Sequence, residues 1–163
     1  VLAELEIQKP DLVIVGSYSP YPFTEAQWVE GSARVFERLA AAAGAVLVVP
    51  GTPSLGFDGP GCVVRNLSAT GEIDRSACVA VDRVPMVAPV TGYLERAVAR
   101  FDNVHLLDLT ELVCPGGLCS AIDENGIVVF RDSQHLTDSF VRAKIPEILR
   151  RIKTIGVPGF EQQ

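Results

Sequence analysis

Apolar residues along this chain come in short unbroken runs separated by amphipathic stretches, not in strict alternation. Residues 11–17 read Asp-Leu-Val-Ile-Val-Gly-Ser, a β-branched run closed by glycine that predicts a strand covered on both faces in a parallel sheet. Pro20 and Pro22 keep the next segment out of a helix, and Thr24 is placed as N-cap to a helix over 25–43. Trp28, Val35, Phe36, Leu39 and Ala43 share one face of that helix, which makes Trp28 a core residue and not a ligand platform. Gly44 follows as a C′ glycine that ends it. A second apolar run over 45–49 leads into Pro50-Gly51-Thr52-Pro53.

Periodicity then fades from 54 to about 84, far beyond the usual connection of about 4 to 6 residues. Helical spacing returns over 87–101, residues 104–108 read as a third strand, and Thr110 is placed as the cap of a short helix. His105 lies among apolar neighbours with nothing beside it to activate it, so it is expected to be a satisfied core or edge histidine. Residues 127–130 predict a last short strand, and Thr137 or Asp138 opens a final helix to about residue 152. The order β-α-β-loop-α-β-β-α with buried-type strands predicts an α/β fold, a three-layer α/β/α sandwich on a mostly parallel sheet, as one domain over 1–163. The first seven residues resemble the tail of an amphipathic helix, so the chain is expected to be truncated, lacking its first strand.

Composition narrows the class of partner. With 163 residues, 48% apolar and only 7% aromatic, the chain suits a layered globular core. A net charge of -6 argues against nucleic acid, whose affinity rests on clustered cations. Arg142, Lys144, Arg150, Arg151 and Lys153 fit the solvated face and last turn of the final helix instead. No apolar run reaches the length of a membrane span, and the first ten residues lack a signal-peptide pattern.

The four cysteines fall into two local pairs, Cys62 with Cys78 and Cys114 with Cys119. In an oxidising compartment these predict two disulfides, the first pinning the long aperiodic stretch. Zinc ligation and four reduced cysteines stay open beside that reading, although neither pair has the usual zinc-doublet spacing. Asn66-Leu67-Ser68 fits a glycosylation sequon that we treat as incidental.

The most informative stretch is Phe130-Arg131-Asp132-Ser133-Gln134-His135-Leu136-Thr137. An Asp and a His three residues apart, between a strand and a helix, have the form of the Asp/His half of a catalytic triad, in which the carboxylate fixes the imidazole's tautomer. The plainer alternative has Asp132 capping a turn and His135 as a surface histidine.

The Asp132-x-x-His135-Leu136-Thr137 box before the closing helix resembles block V of the SGNH (GDSL-like) hydrolases, and the strand from Pro10 to Gly16 resembles the one leading into their block III. Leu107-Asp108-Leu109-Thr110-Glu111-Leu112 ahead of the second cysteine pair completes a pattern similar to the extracytoplasmic SGNH domains fused behind membrane acyltransferase-3 domains. The resemblance implies an SGNH/flavodoxin-like fold with His135 as general base and Asp132 as its orienting partner. It implies Ser-His-Asp acyl transfer, commonly of acetyl, between an acyl donor and a polysaccharide acceptor, with no cofactor or metal, in an extracytoplasmic domain tethered through a membrane acyltransferase partner upstream.

Two departures qualify it. No Gly-Asp-Ser box occurs in these residues, so the nucleophile is expected outside them. Gly16-Ser17-Tyr18-Ser19 stands where Gly-x-Asn-Asp would, with Tyr18 at the Asn position, leaving backbone N–H groups near Gly16 and Ser17, or a group from the missing segment, as the oxyanion candidates. Ser17 and Ser19 are expected to be structural, since neither sits on a nucleophile elbow. The alternative function is a non-catalytic glycan-binding or docking module.

Overall fold

The computed structural model describes residues 2–80 and 88–160. The chain folds as two compact units that interleave in sequence, one of residues 1–51, 88–108 and 147–163, the other of residues 52–87 and 109–146.

The first unit is built on a parallel sheet. Strands β1 (Leu12–Gly16), β2 (Ala45–Val49) and β4 (Val104–Leu106) lie in the order β1-β2-β4, with Leu12 beside Ala45 and Val46 beside Val104. Residues 45–48 of β2 are fully buried, so the central strand is covered on both faces as its unbroken apolar run predicts. Helices α1 (Leu2–Gln8), α2 (Glu25–Ala42) and α4 (Ala88–Val98) join it, and Trp28, Phe36, Leu39, Leu94 and Ala97 pack with Val46 and Val48 in one cluster. Trp28 is core, as its helical spacing requires.

Helix α2 begins as the sequence implies: Thr24 Oγ1 accepts from Gln27 N while the Gln27 side chain accepts from Thr24 N, a reciprocal capping box. Its end differs in cause. Gly44 has no left-handed φ; a Cβ there would stand 2.8 Å from the Asp11 carbonyl oxygen, so glycine is required by close approach of the backbone entering β1. The expected helix over 87–101 is Ala88–Val98, with Val87 and residues 81–84 of the long connection outside the described residues. His105 Nδ1 lies 3.1 Å from the Ile155 carbonyl, the structural role expected of it.

The second unit has little regular structure. Helix α3 (Gly59–Arg65) occupies part of the stretch expected to be loop; its Gly59-Pro60-Gly61 start hides the helical pattern, and proline is tolerated only because it sits in the first turn. Strands β3 (Val79–Ala80) and β5 (Cys119–Ser120) form a two-residue antiparallel ladder, and α5 (Thr110–Val113) has Leu109, not Thr110, at its N-cap. The predicted strand at 127–130 makes only isolated bridges, Ile122 with Val128 and Phe130 with Leu136. Its residues pair with neighbouring turns, Val129 N donating to Ala121 O and Thr137 N to Val129 O, so among the described residues it joins no sheet.

Both cysteine pairs are disulfides, Cys62–Cys78 and Cys114–Cys119, which leaves no thiolate from them for zinc. Cys78, Cys114 and Cys119 are fully buried beside Leu55, Val129 and Phe130. A unit this poor in ladders depends on such links. Converting Cys62 and Cys78 to serine is expected to lower the unfolding free energy of the protein by about 3 kcal/mol, and the shorter Cys114–Cys119 loop by about 2 kcal/mol, read from urea melts of each double variant. Equal melts would place the stabilisation in packing alone. Asn66 is committed as well: its Nδ2 donates to the Cys62 carbonyl at 2.9 Å, which suits a structural residue and not a displayed glycan acceptor.

Candidate active site

In the second unit the chain between Phe130 and Thr137 folds back on itself, closed by the Phe130–Leu136 bridge and by Arg131 N donating to His135 O at 2.9 Å. Within this turn Asp132 Oδ1 accepts from Gln134 N at 2.8 Å and from His135 N at 2.7 Å, the local side-chain-to-backbone bonding at which aspartate excels. That leaves Oδ2 for the imidazole, and His135 Nδ1 lies 2.7 Å from it. Capping and pairing are therefore one arrangement: the backbone bonds that make Asp132 a turn residue also aim its second oxygen at the ring.

The carboxylate can only accept, so Nδ1 carries the proton and Nε2 keeps its lone pair. The His135 and Asp132 side chains are 57% and 43% exposed, so the ring is open to an incoming hydroxyl. Several contacts fix the turn. The Ser133 carbonyl accepts from Leu55 N at 2.9 Å, Thr137 Oγ1 donates to the Val128 carbonyl, and the same oxygen accepts from Phe140 N to cap α6 (Asp138–Thr154). Sequence reading missed Leu55, whose stretch carries no periodic signal; Gly59, where a Cβ would stand 2.9 Å from Leu55 Cδ1 and 3.4 Å from the Asp132 carbonyl, is the trace of that packing.

The Asp132 carboxyl is held down to about 2, first by the His135 backbone N–H, then by that of Gln134, then by the imidazole. The folded value lies below the unfolded one of 3.8, so what this group adds to stability is complete above about pH 4 and disappears as pH falls through about 2. The Asp132 Cγ resonance is expected to titrate near 2 in an NMR pH series. A midpoint at the ordinary aspartate value would mean that the backbone bonds are not made in solution.

Gly16 and Ser17 lie in the first unit, at the end of β1. Ser17 N donates to the Val49 carbonyl at 3.1 Å and Ser17 Oγ accepts from Gly51 N at 3.3 Å, so both groups are engaged within that unit. Backbone N–H groups alternate along a strand, so those of Leu12, Ile14 and Gly16 face the outer edge of β1, away from β2. Ser19 is buried, and its Oγ has no hydrogen-bond partner among the described residues.

Comparison with known proteins bears on this geometry. No curated protein matches the chain. A solved structure, the periplasmic domain of a Salmonella ser. Paratyphi A lipopolysaccharide acetyltransferase, superposes with a TM-score of 0.66 at 11% identity, covering 94% of this chain and 59% of its own. The chain thus spans little more than half of that neighbour, and the likeness is one of fold. The model of the SGNH domain fused to AT3 domains matches residues 1–150. That match over nearly the whole length means that the chain belongs to the family of SGNH domains fused to AT3 domains.

Proposed function

We propose that this chain carries the acid/base half of an O-acyltransferase or acyl-esterase that moves an acyl group, commonly acetyl, to or from a hydroxyl of a cell-envelope polysaccharide. The observation that carries this reading is the His135 Nδ1 to Asp132 Oδ2 contact of 2.7 Å, on a turn that leaves the His135 side chain more than half exposed. The nucleophile is a serine supplied from outside these 163 residues. Its hydroxyl gives its proton to His135 Nε2 as its oxygen bonds to the acyl carbonyl, and the imidazolium returns that proton to the departing donor. In the second half a sugar hydroxyl loses its proton to the same nitrogen, its oxygen takes the acyl group, and the serine is released protonated. Water in place of the sugar gives the esterase. Asp132 keeps the ring in the accepting tautomer throughout.

Two features of the first unit support a contribution from outside. β1 is an edge strand with no sheet partner on its outer side among the described residues, and Ile14 on it is 63% exposed, although strands of a parallel sheet are normally covered. A further parallel strand laid there carries the serine. The family's fusion to AT3 domains supports a membrane acyltransferase partner upstream; the two buried disulfides support an extracytoplasmic location.

The alternative, a non-catalytic glycan-binding or docking module, is favoured by one observation: no Gly-Asp-Ser box occurs in these residues. A fluorophosphonate probe decides between them. The whole protein is expected to be labelled on one serine outside residues 1–163, with labelling lost in His135→Ala. No labelling, or labelling at Ser17 or Ser19, would remove the proposed nucleophile.

A further inference from the structure

Three aromatic rings on the loop joining β1 to α2 do not enter the core. Tyr18, Tyr21 and Phe23 are 51%, 53% and 52% exposed, yet they touch one another in series. Tyr18 meets Tyr21 edge-on with ring centroids 5.2 Å apart, Tyr21 stacks on Phe23 at 5.5 Å and 24°, and Phe23 meets the buried Trp28 at 5.6 Å. The row is thereby anchored to the core at one end and open to water along its length. Adjacent exposed rings are unusual on a protein surface, because the same residues gain more when buried.

The loop is built to hold them still. Pro20 and Pro22 fix two backbone angles, Phe23 N donates to the Tyr21 carbonyl at 2.8 Å, and the Thr24–Gln27 capping box pins the exit into α2. At the other end the chain lies tight against the end of β2, where a Cβ on Gly51 would stand 2.7 Å from Ser19 Oγ. Such a surface has little left to order when something binds it.

Its chemistry selects the occupant. No charged residue occurs from Leu12 to Thr24, so the loop itself offers nothing to a phosphate and no carboxylate to a quaternary ammonium. Ring faces carry negative quadrupole, which suits the C–H faces of a sugar ring, while the Tyr18 and Tyr21 hydroxyls supply donors and acceptors at the rim. The loop also follows the C-terminal end of a parallel strand, the end at which open α/β sheets bind ligands.

We infer that Tyr18, Tyr21 and Phe23 form a stacking subsite for neutral sugar residues of the polysaccharide acceptor. This deepens the acyl-transfer reading, on which the word acceptor rests, and names the part of the chain that grips the glycan.

The test titrates the whole protein, without acyl donor, with envelope polysaccharide of the native organism after alkaline de-O-acetylation, following aromatic NMR signals. Saturable binding is expected, weakened at least about tenfold in Tyr18→Ala/Tyr21→Ala and in Tyr21→Ala alone, and largely kept in Tyr21→Phe. Hydrolysis of p-nitrophenyl acetate is expected to stay within about twofold of wild type in Tyr21→Ala and Tyr21→Phe, since water needs no sugar subsite. Undiminished binding in folded alanine variants, or no binding by the wild type, would overturn the subsite. Protection of Tyr18 and Tyr21 from tetranitromethane in the unliganded whole protein would also overturn it, because another part of the polypeptide would then cover the rings. Failure of the acyl-transfer reading registers separately, as p-nitrophenyl acetate hydrolysis that does not slow in His135→Ala.

Discussion

Replacing His135 by alanine is expected to lower kcat/KM for p-nitrophenyl acetate hydrolysis by the whole protein at least about 1,000-fold, with the folded state intact. The two halves of this expectation have different physical sources. In the proposed mechanism, removing the imidazole removes the acceptor for the serine proton in the first step and for the sugar or water proton in the second, and groups that act as one unit fail together. The fold survives because the turn rests on the His135 backbone: its N–H still reaches Asp132 Oδ1 and its carbonyl still accepts from Arg131 N. The side chain itself is more than half exposed, so alanine opens no cavity.

Asp132→Asn makes the sharper comparison. The Asn oxygen can keep the bonds from Gln134 N and His135 N, but its NH₂ now faces Nδ1. The imidazole must then carry its proton on Nε2, the wrong nitrogen, and a loss of up to about 10,000-fold is expected without change in the circular dichroism spectrum. Unchanged hydrolysis in both variants would mean that the exposed pair is a turn motif and nothing more.

How much of this was legible before the structure depends on where the covalent signal is local. Asp132 and His135 are three residues apart, and the turn that joins them is made by Asp132 with its own neighbours, so sequence spacing alone contains the geometry. The same holds for the Thr24 capping box and for β2, whose unbroken apolar run states that it is buried on both faces. Readings failed where the determining contact is distant. Gly44 has the look of a helix terminator, yet its reason is the Asp11 carbonyl more than thirty positions away. Residues 127–130 look like a strand because their apolar content is set by burial against the disulfides and Phe140, not by pairing in a sheet. Helix α3 escaped notice because a Gly-Pro-Gly start and a mere seven residues give periodicity no room. The aromatic row of Tyr18, Tyr21 and Phe23 was visible as residues but not as a surface: exposure is a property of packing, and no pattern in a proline-rich loop reveals it.

Phe130→Ala is expected to cost about 3–5 kcal/mol of unfolding free energy, the largest effect of any single core substitution proposed for this chain. Phe130 is fully buried, the largest such side chain among the described residues, and lies in the cluster that holds both disulfides. Those crosslinks limit collapse around the vacated volume, which pushes the expected cost to the upper part of the range. Phe130 also opens the Asp132–His135 turn, because it bridges Leu136 immediately outside that pair. Phe130→Leu, which retains most of the volume, should cost less than half as much. Urea melts of the two variants measure this directly. A correlated readout separates packing from chemistry: at low denaturant, where Phe130→Ala is still folded, the Asp132 Cγ titration should move up from about 2 toward 3.8, as a loosened turn shortens the life of the backbone bonds that hold it down. A stability loss with no such movement would show that the turn is self-sufficient, made by Asp132 alone, and that the core beneath it supplies folding energy without setting the geometry of the Asp132–His135 pair.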